Sequence, residues 1–222
     1  MTTAVFDMDF IKYEAGYVAE DRSILVTEKK SGDQYTFKNR TEFWGASRKH
    51  NGGWLFDKNK GRLSPLTEDD FTIEDVQTSK GMRVAKQVVR TRIETILDKL
   101  GTQDYYGYVG QGESFRVERS TILKYKGNRE NILRPVLLDE ISSFILREFP
   151  VEVITFVEAD DVCVWDTYHK TDKILVGVDK DYCGCEVNLF NPDKMDVPQL
   201  IKGVGRLWID DKKKVRGDGF KW

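Results

Sequence analysis

The chain has 222 residues, enough for one sizeable domain with a real core. With 40% hydrophobic and 32% charged residues and a net charge of −2, it is neither a disordered tail nor a uniformly basic nucleic-acid binder, so any phosphate contact has to come from a local patch. Three cysteines and two histidines speak against a disulfide scaffold and a histidine-rich zinc site, and the apolar runs are too short to span a membrane. The expectation is a soluble, cytosolic protein.

The first apolar run, Ala4-Val5-Phe6, ends in Asp7-Met8-Asp9 and reads as a short buried strand with acids at its carboxyl end. No basic region or long apolar core marks the N-terminus as a leader. Residues 21–75 differ in texture: Ile24–Thr27 and Gln34–Phe37 flank a loop with Gly32 and read as a β-hairpin, followed by a stretch rich in aromatics and glycine. This part is expected to be an insertion on a single domain spanning 1–222. From 79 to 100 the apolar positions Met82, Ala85, Val89, Ile93, Ile96 and Leu100 keep helical spacing, and Gly101 supplies a stop.

A strand is expected at 105–109, then a polar, glycine-punctuated segment at about 110–134. Pro135 opens a helix with Leu138, Ile141, Ile145 and Phe149 on one face. A strand at 153–156, a helix at 160–169 and a strand at 174–178 follow, with late strands at 187–190 and 205–209. Strands alternating with helices predict an α/β fold, a mainly parallel sheet covered on both faces.

Three acidic groups follow strand signals: Asp7 and Asp9; Glu158, Asp160 and Asp161; Asp179 and Asp181. Ligands of open α/β sheets bind outside the carboxyl ends of the strands, so the three groups can converge. Singly, each reads as a helix cap or a solvated loop acid. Repeated at three equivalent places, seven carboxylates need a counter-ion, and hard divalent cations such as Mg²⁺ or Mn²⁺ suit oxygen ligands. Cys183-Gly184-Cys185 has too short a spacing for a zinc knuckle. From Phe115 to Arg134, six basic residues (Arg116, Arg119, Lys124, Lys126, Arg129, Arg134) face two acids, a candidate phosphate patch in which Tyr125 can stack on a base. A solvated basic loop is the plainer alternative.

The order Asp7, Phe115-Arg116, Tyr125-Lys126-Gly127-Asn128-Arg129, Glu158-Ala159-Asp160-Asp161 and Asp179-Lys180-Asp181 resembles the 5′ nuclease family, the flap endonucleases and phage 5′ exonucleases, most of all its tailed-phage branch. The resemblance covers residues 4–20 and about 80–190. It implies a PIN-like fold and Mg²⁺- or Mn²⁺-dependent hydrolysis of DNA at 5′ ends, flaps or nicks, with RNA as a possible substrate. It implies metal ligands at Asp7, Glu158, Asp160, Asp161, Asp179 and Asp181, with Asp9 provisional. Lys126 matches a lysine that touches the scissile phosphate at the base of an arch; Arg116 and Arg129 match residues that hold the backbone, and Lys124, Tyr125 and Asn128 join the DNA-binding set. The family continues past its third acid group with a further aspartate pair and a helix–hairpin–helix. Neither is legible here: the expectation is that a separate polypeptide supplies them and that the isolated chain has weak or no activity, the alternative being a compact enzyme that works with one well-held cation. The competing readings are a haloacid dehalogenase-type phosphatase using Asp7 and Asp9, and a non-catalytic DNA-structure binder.

Overall fold

The computed structural model describes residues 2–45, 52–120 and 132–202, together with the backbone of 207–209 and 215–217. In chain order the elements are β1 (Thr3–Asp7), α1 (Met8–Val18), β2 (Glu20–Glu28), β3 (Gln34–Phe37), α2 (Arg40–Trp44), α3 (Trp54–Asn59), β4 (Phe71–Ser79), α4 (Met82–Leu100), β5 (Tyr105–Ser114), α5 (Phe115–Arg119), α6 (Leu138–Glu148), β6 (Val151–Phe156), α7 (Ala159–Thr167), β7 (Lys173–Val176), β8 (Asn188–Phe190), β9 (Gln199–Leu200), β10 (Leu207–Ile209) and β11 (Val215–Gly217). They divide into two compact units, one of residues 1–18 and 82–222, the other of 19–81.

The first unit is built on a six-stranded sheet in the order β6-β5-β1-β7-β8-β9, with every pairing parallel except β8 with β9. The chain places β5 and β6 on one side of β1 and then returns to lay β7 on the other. β1 and β7 therefore flank a switch in strand order, where open parallel sheets hold their ligands. β1 is buried from Ala4 to Asp7, as a central strand covered on both faces is.

Strand alternation separates the two layers. A Cβ at Gly107, paired with Phe6, would meet Met8 of α1 at 2.8 Å, so α1 lies on that face. There it packs with α4 and α6, whose buried residues (Ala85, Val89, Ile93 and Ile96; Ile141, Phe144 and Ile145) recur at helical spacing. The opposite face carries Tyr106 and Tyr108, which bond to Asp166 of α7. The expected α/β architecture, a mainly parallel sheet flanked by helices, is present. No helix among the described residues is long and apolar enough to cross a membrane.

The second unit is an antiparallel sheet, β3-β2-β4, over a core of Ile24, Val26, Phe37, Phe43, Leu55 and Phe71. The hairpin read at 24–37 pairs as expected, Ile24 opposite Phe37 and Thr27 opposite Gln34. The segment read as an insertion at about 21–75 extends over 19–81 and gains a third strand, β4, along the whole of β2. Its alternation is weak because β4 is an edge strand with most side chains exposed.

Candidate metal centre

The three acidic groups sit where the topology says they should. Asp7 ends β1, Glu158 caps α7 directly after β6, and Asp160 and Asp161 occupy the first turn of that helix. Asp179 caps a short 3₁₀ turn after β7, accepting the Asp181 amide at 2.9 Å. Asp161 donates its amide to Asp160 Oδ1 at 2.8 Å. The helix amino terminus offsets part of the repulsion among Glu158, Asp160 and Asp161.

Glu158, Asp160 and Asp161, each half-buried, bring one oxygen apiece within 4.8 Å of one another, the one such group of possible metal ligands among the described residues. The donor set is all carboxylate, which fits a hard divalent cation and not a thiophilic one.

Electrostatics link the rest to this group. The Asp7 carboxyl is buried and pushed up to about 7, first by burial and then by the negative charges of Asp9 and Asp160; hydrogen bonds from Tyr182 and the Asp9 amide pull the other way. Cys163, fully buried in α7, has its thiol pushed well up by burial and by Asp7, Asp160 and Asp9 together. Burial and then the charges of Asp181 and Asp161 push up Cys185, so the loop after β7 lies within electrostatic reach of the helix start. Asp7, Asp9 and Asp160 share one negative field, and Asp161 and Asp181 share another around Cys185.

Arg116 and Lys12, among the described residues, bind acids at this end of the sheet. Arg116 places Nη1 2.5 Å from Glu158 and both Asp161 oxygens within 2.8 Å of Nη2, so the residue matched to a backbone-holding arginine sits on the candidate ligands themselves. Lys12 is buried and binds Asp9 Oδ1 at 2.5 Å and the Gly110 carbonyl at 3.2 Å. Asp9 also accepts the Gly110 amide at 3.2 Å, and a Cβ at 110 would lie 2.9 Å from its Oδ2. Asp9, provisional as a ligand, is thereby engaged in joining α1 to β5.

Sequence reasoning missed Tyr182. It follows Asp181 in the loop, is 1% exposed, and donates its hydroxyl to Asp7 Oδ2 at 2.7 Å. The ring passes over Gly177, where a Cβ would lie 2.4 Å from it, so a side chain there would collide with the ring. Tyr182 therefore ties the end of β1 to the loop after β7. A lone tyrosine beside an aspartate carries no pattern; Gly177 in an otherwise apolar strand was the one hint. Also missed were Tyr106, Tyr108, Asp166 and Lys173. Lys173 binds Asp166 and the Tyr106 hydroxyl, each at 2.6 Å, and both tyrosines donate to Asp166, which pins α7 to β5 and β7. Lys124, Tyr125, Lys126, Asn128 and Arg129 lie outside the described residues. No protein-family model, no curated protein and no solved structure matches the chain.

Proposed function

We propose that the chain is the core of a PIN-like 5′ nuclease, an Mg²⁺- or Mn²⁺-dependent hydrolase acting on DNA as a 5′–3′ exonuclease or flap endonuclease. The observation that carries the reading is the placement of Asp7, the Glu158-Asp160-Asp161 group and the Asp179-Asp181 loop at the carboxyl ends of β1, β6 and β7 of one parallel sheet.

A bound divalent cation supplies Lewis acidity, which activates water and steadies the leaving oxygen of a phosphodiester. The chain's own groups do the rest. Glu158, Asp160 and Asp161 would hold the cation, with Asp7 at the end of β1 and Asp179 and Asp181 after β7 adding negative charge. Arg116, paired with Glu158 and Asp161, would be able to exchange those carboxylates for phosphate oxygens of the bound strand, since its guanidinium fork suits both. Lys126, by the resemblance, adds positive charge at the phosphate as negative charge develops there. Asp9 bound to Lys12 weakens the phosphatase alternative, which needs that aspartate free to move a proton.

The test is cleavage of end-labelled 5′-flap, nicked and single-stranded DNA, with matching RNA, in Mg²⁺ or Mn²⁺. Asp179→Asn and Lys126→Ala are expected to lose most of the activity. Cleavage that survives chelation, or full activity in Asp179→Asn, overturns the reading. Turnover of a small phosphate ester that is lost in Asp9→Asn but insensitive to Lys126→Ala favours the phosphatase.

A further inference from the structure

Phe156 ends β6 in a conformation that the fold itself does not favour. Its φ is +72°, in the left-handed region that a bulky side chain occupies only under strain. Its ring is 61% exposed, so little burial offsets that strain. It pairs with Ser114 across a register shift between β5 and β6, which carries it to the neighbouring Phe115. The two rings lie 5.9 Å apart, tilted by 38°.

The next residues in each segment form the ion pair already described. Arg116 follows Phe115, Glu158 stands two places after Phe156, and Arg116 binds Glu158. A flat apolar surface therefore adjoins a charged site built from the same two stretches of chain. A ligand that suits both has a planar π-face and, next to it, a group that interacts with cations. A nucleotide has both, the base for the rings and the phosphate for Arg116 and for a cation that the neighbouring carboxylates would hold. Aromatic stacking tolerates any base, because every base has a π-face.

We infer that Phe156 and Phe115 form a stacking platform for a nucleobase of the bound strand at the rim of the carboxylate site. The inference rests on the nuclease reading and deepens it: the platform sets which nucleotide lies beside the reacting phosphate, while the carboxylates set the chemistry. Phe156 is a substrate-binding residue that fixes the position of the strand whatever its base, kept despite its backbone strain because the ring is used by something outside the fold.

The experiment titrates a single-stranded oligonucleotide carrying 2-aminopurine into the full chain in Ca²⁺, and follows melting of the same proteins. The wild type is expected to quench 2-aminopurine at one position near the 5′ end. Phe156→Gly, which suits a positive φ, is expected to melt at a higher temperature yet bind about tenfold more weakly and lose the quench. Phe156→Trp is expected to keep the quench, and Phe115→Leu to weaken it. Oligonucleotide binding and quench unchanged in Phe156→Gly and Phe115→Leu overturn the platform while leaving the nuclease reading intact. No oligonucleotide binding and no cation-dependent cleavage by the wild type removes both. Unchanged binding together with a dimer that Phe156→Gly dissociates overturns the platform in favour of self-association.

Discussion

Asp7 and Asp166 face the same side of one sheet and are treated in opposite ways. Around Asp166, burial would raise the carboxyl, but the hydrogen bonds and charge of Lys173, with bonds from Tyr106 and Tyr108, outweigh it and hold the group below its usual range. Around Asp7, burial is joined by the like charges of Asp9 and Asp160, and the hydroxyl of Tyr182 does not offset them. Among the described residues, Lys12 binds Asp9, and Arg116 binds Glu158 and Asp161. Asp166 is provided with its counter-charge and anchors a helix, while Asp7, at the end of its strand, has its charged form disfavoured.

The sharpest way to break this contrast is to remove charge near Asp7. Asp160→Asn is expected to lower cation-dependent cleavage by about 10²-fold or more, since the charge stabilisation it supports is worth several kcal/mol. It should also abolish the rise in melting temperature on adding Mn²⁺. A Mn²⁺ response equal to that of the wild type would mean that the cation binds elsewhere.

Next in size is the stability of the cation-free protein. The Asp7 carboxyl is raised from 3.8 to about 7, so its neutral form is the one that suits the fold. Its contribution to stability is fully present below about pH 4 and is lost as pH rises through about 7, with a ceiling of about 4 kcal/mol for a shift of this size. Asp7→Asn, measured by urea unfolding at pH 8 in chelator, is expected to be more stable than the wild type by about 2 kcal/mol. The advantage should vanish near pH 4. A less stable variant at pH 8 would mean that Lys12 and the other cations already neutralise Asp7.

Asp166 should show the opposite sign. Its lowered carboxyl contributes above its unfolded value and loses that contribution as pH falls through the folded one. Asp166→Asn is expected to cost about 1–3 kcal/mol at neutral pH while leaving Mn²⁺ affinity within about twofold, because only the anchor of α7 is weakened. A large loss of affinity at unchanged stability would move Asp166 into the cation site. Smallest of all, Tyr182→Phe removes one hydrogen bond from Asp7 and should weaken Mn²⁺ binding by a few-fold, about 1 kcal/mol by calorimetry. No change would show that Gly177 and the buried ring, without the hydroxyl, set the loop.

Much of this was legible before any coordinates. The apolar run of β1, the helical spacing of α4 and α6 and the hairpin Ile24–Phe37 were all readable from period alone. So were the three acidic groups and their places after strands. What escaped were contacts between residues far apart in the chain: Tyr182 with Asp7, Lys12 with Gly110, Asp166 with Tyr106 and Tyr108. None has a local pattern, because each depends on strand order and on the twist that brings a loop over a neighbouring strand. The roles assigned to Lys126 and its neighbours rest on the resemblance alone.

The sequence by itself determined that strands and helices alternate and that acids follow the strands, because side-chain period and turn chemistry are local properties. Only the tertiary structure decided which acids meet and which are neutralised. Strand order brings Asp7 beside α7 and the loop after β7, and packing hands Arg116 to Glu158 and Asp161, Lys173 to Asp166, and Gly110 to the Asp9–Lys12 pair of α1. A carboxylate looks the same in a sequence whether its charge is satisfied or not. Burial and neighbours make the difference, and both are properties of the fold.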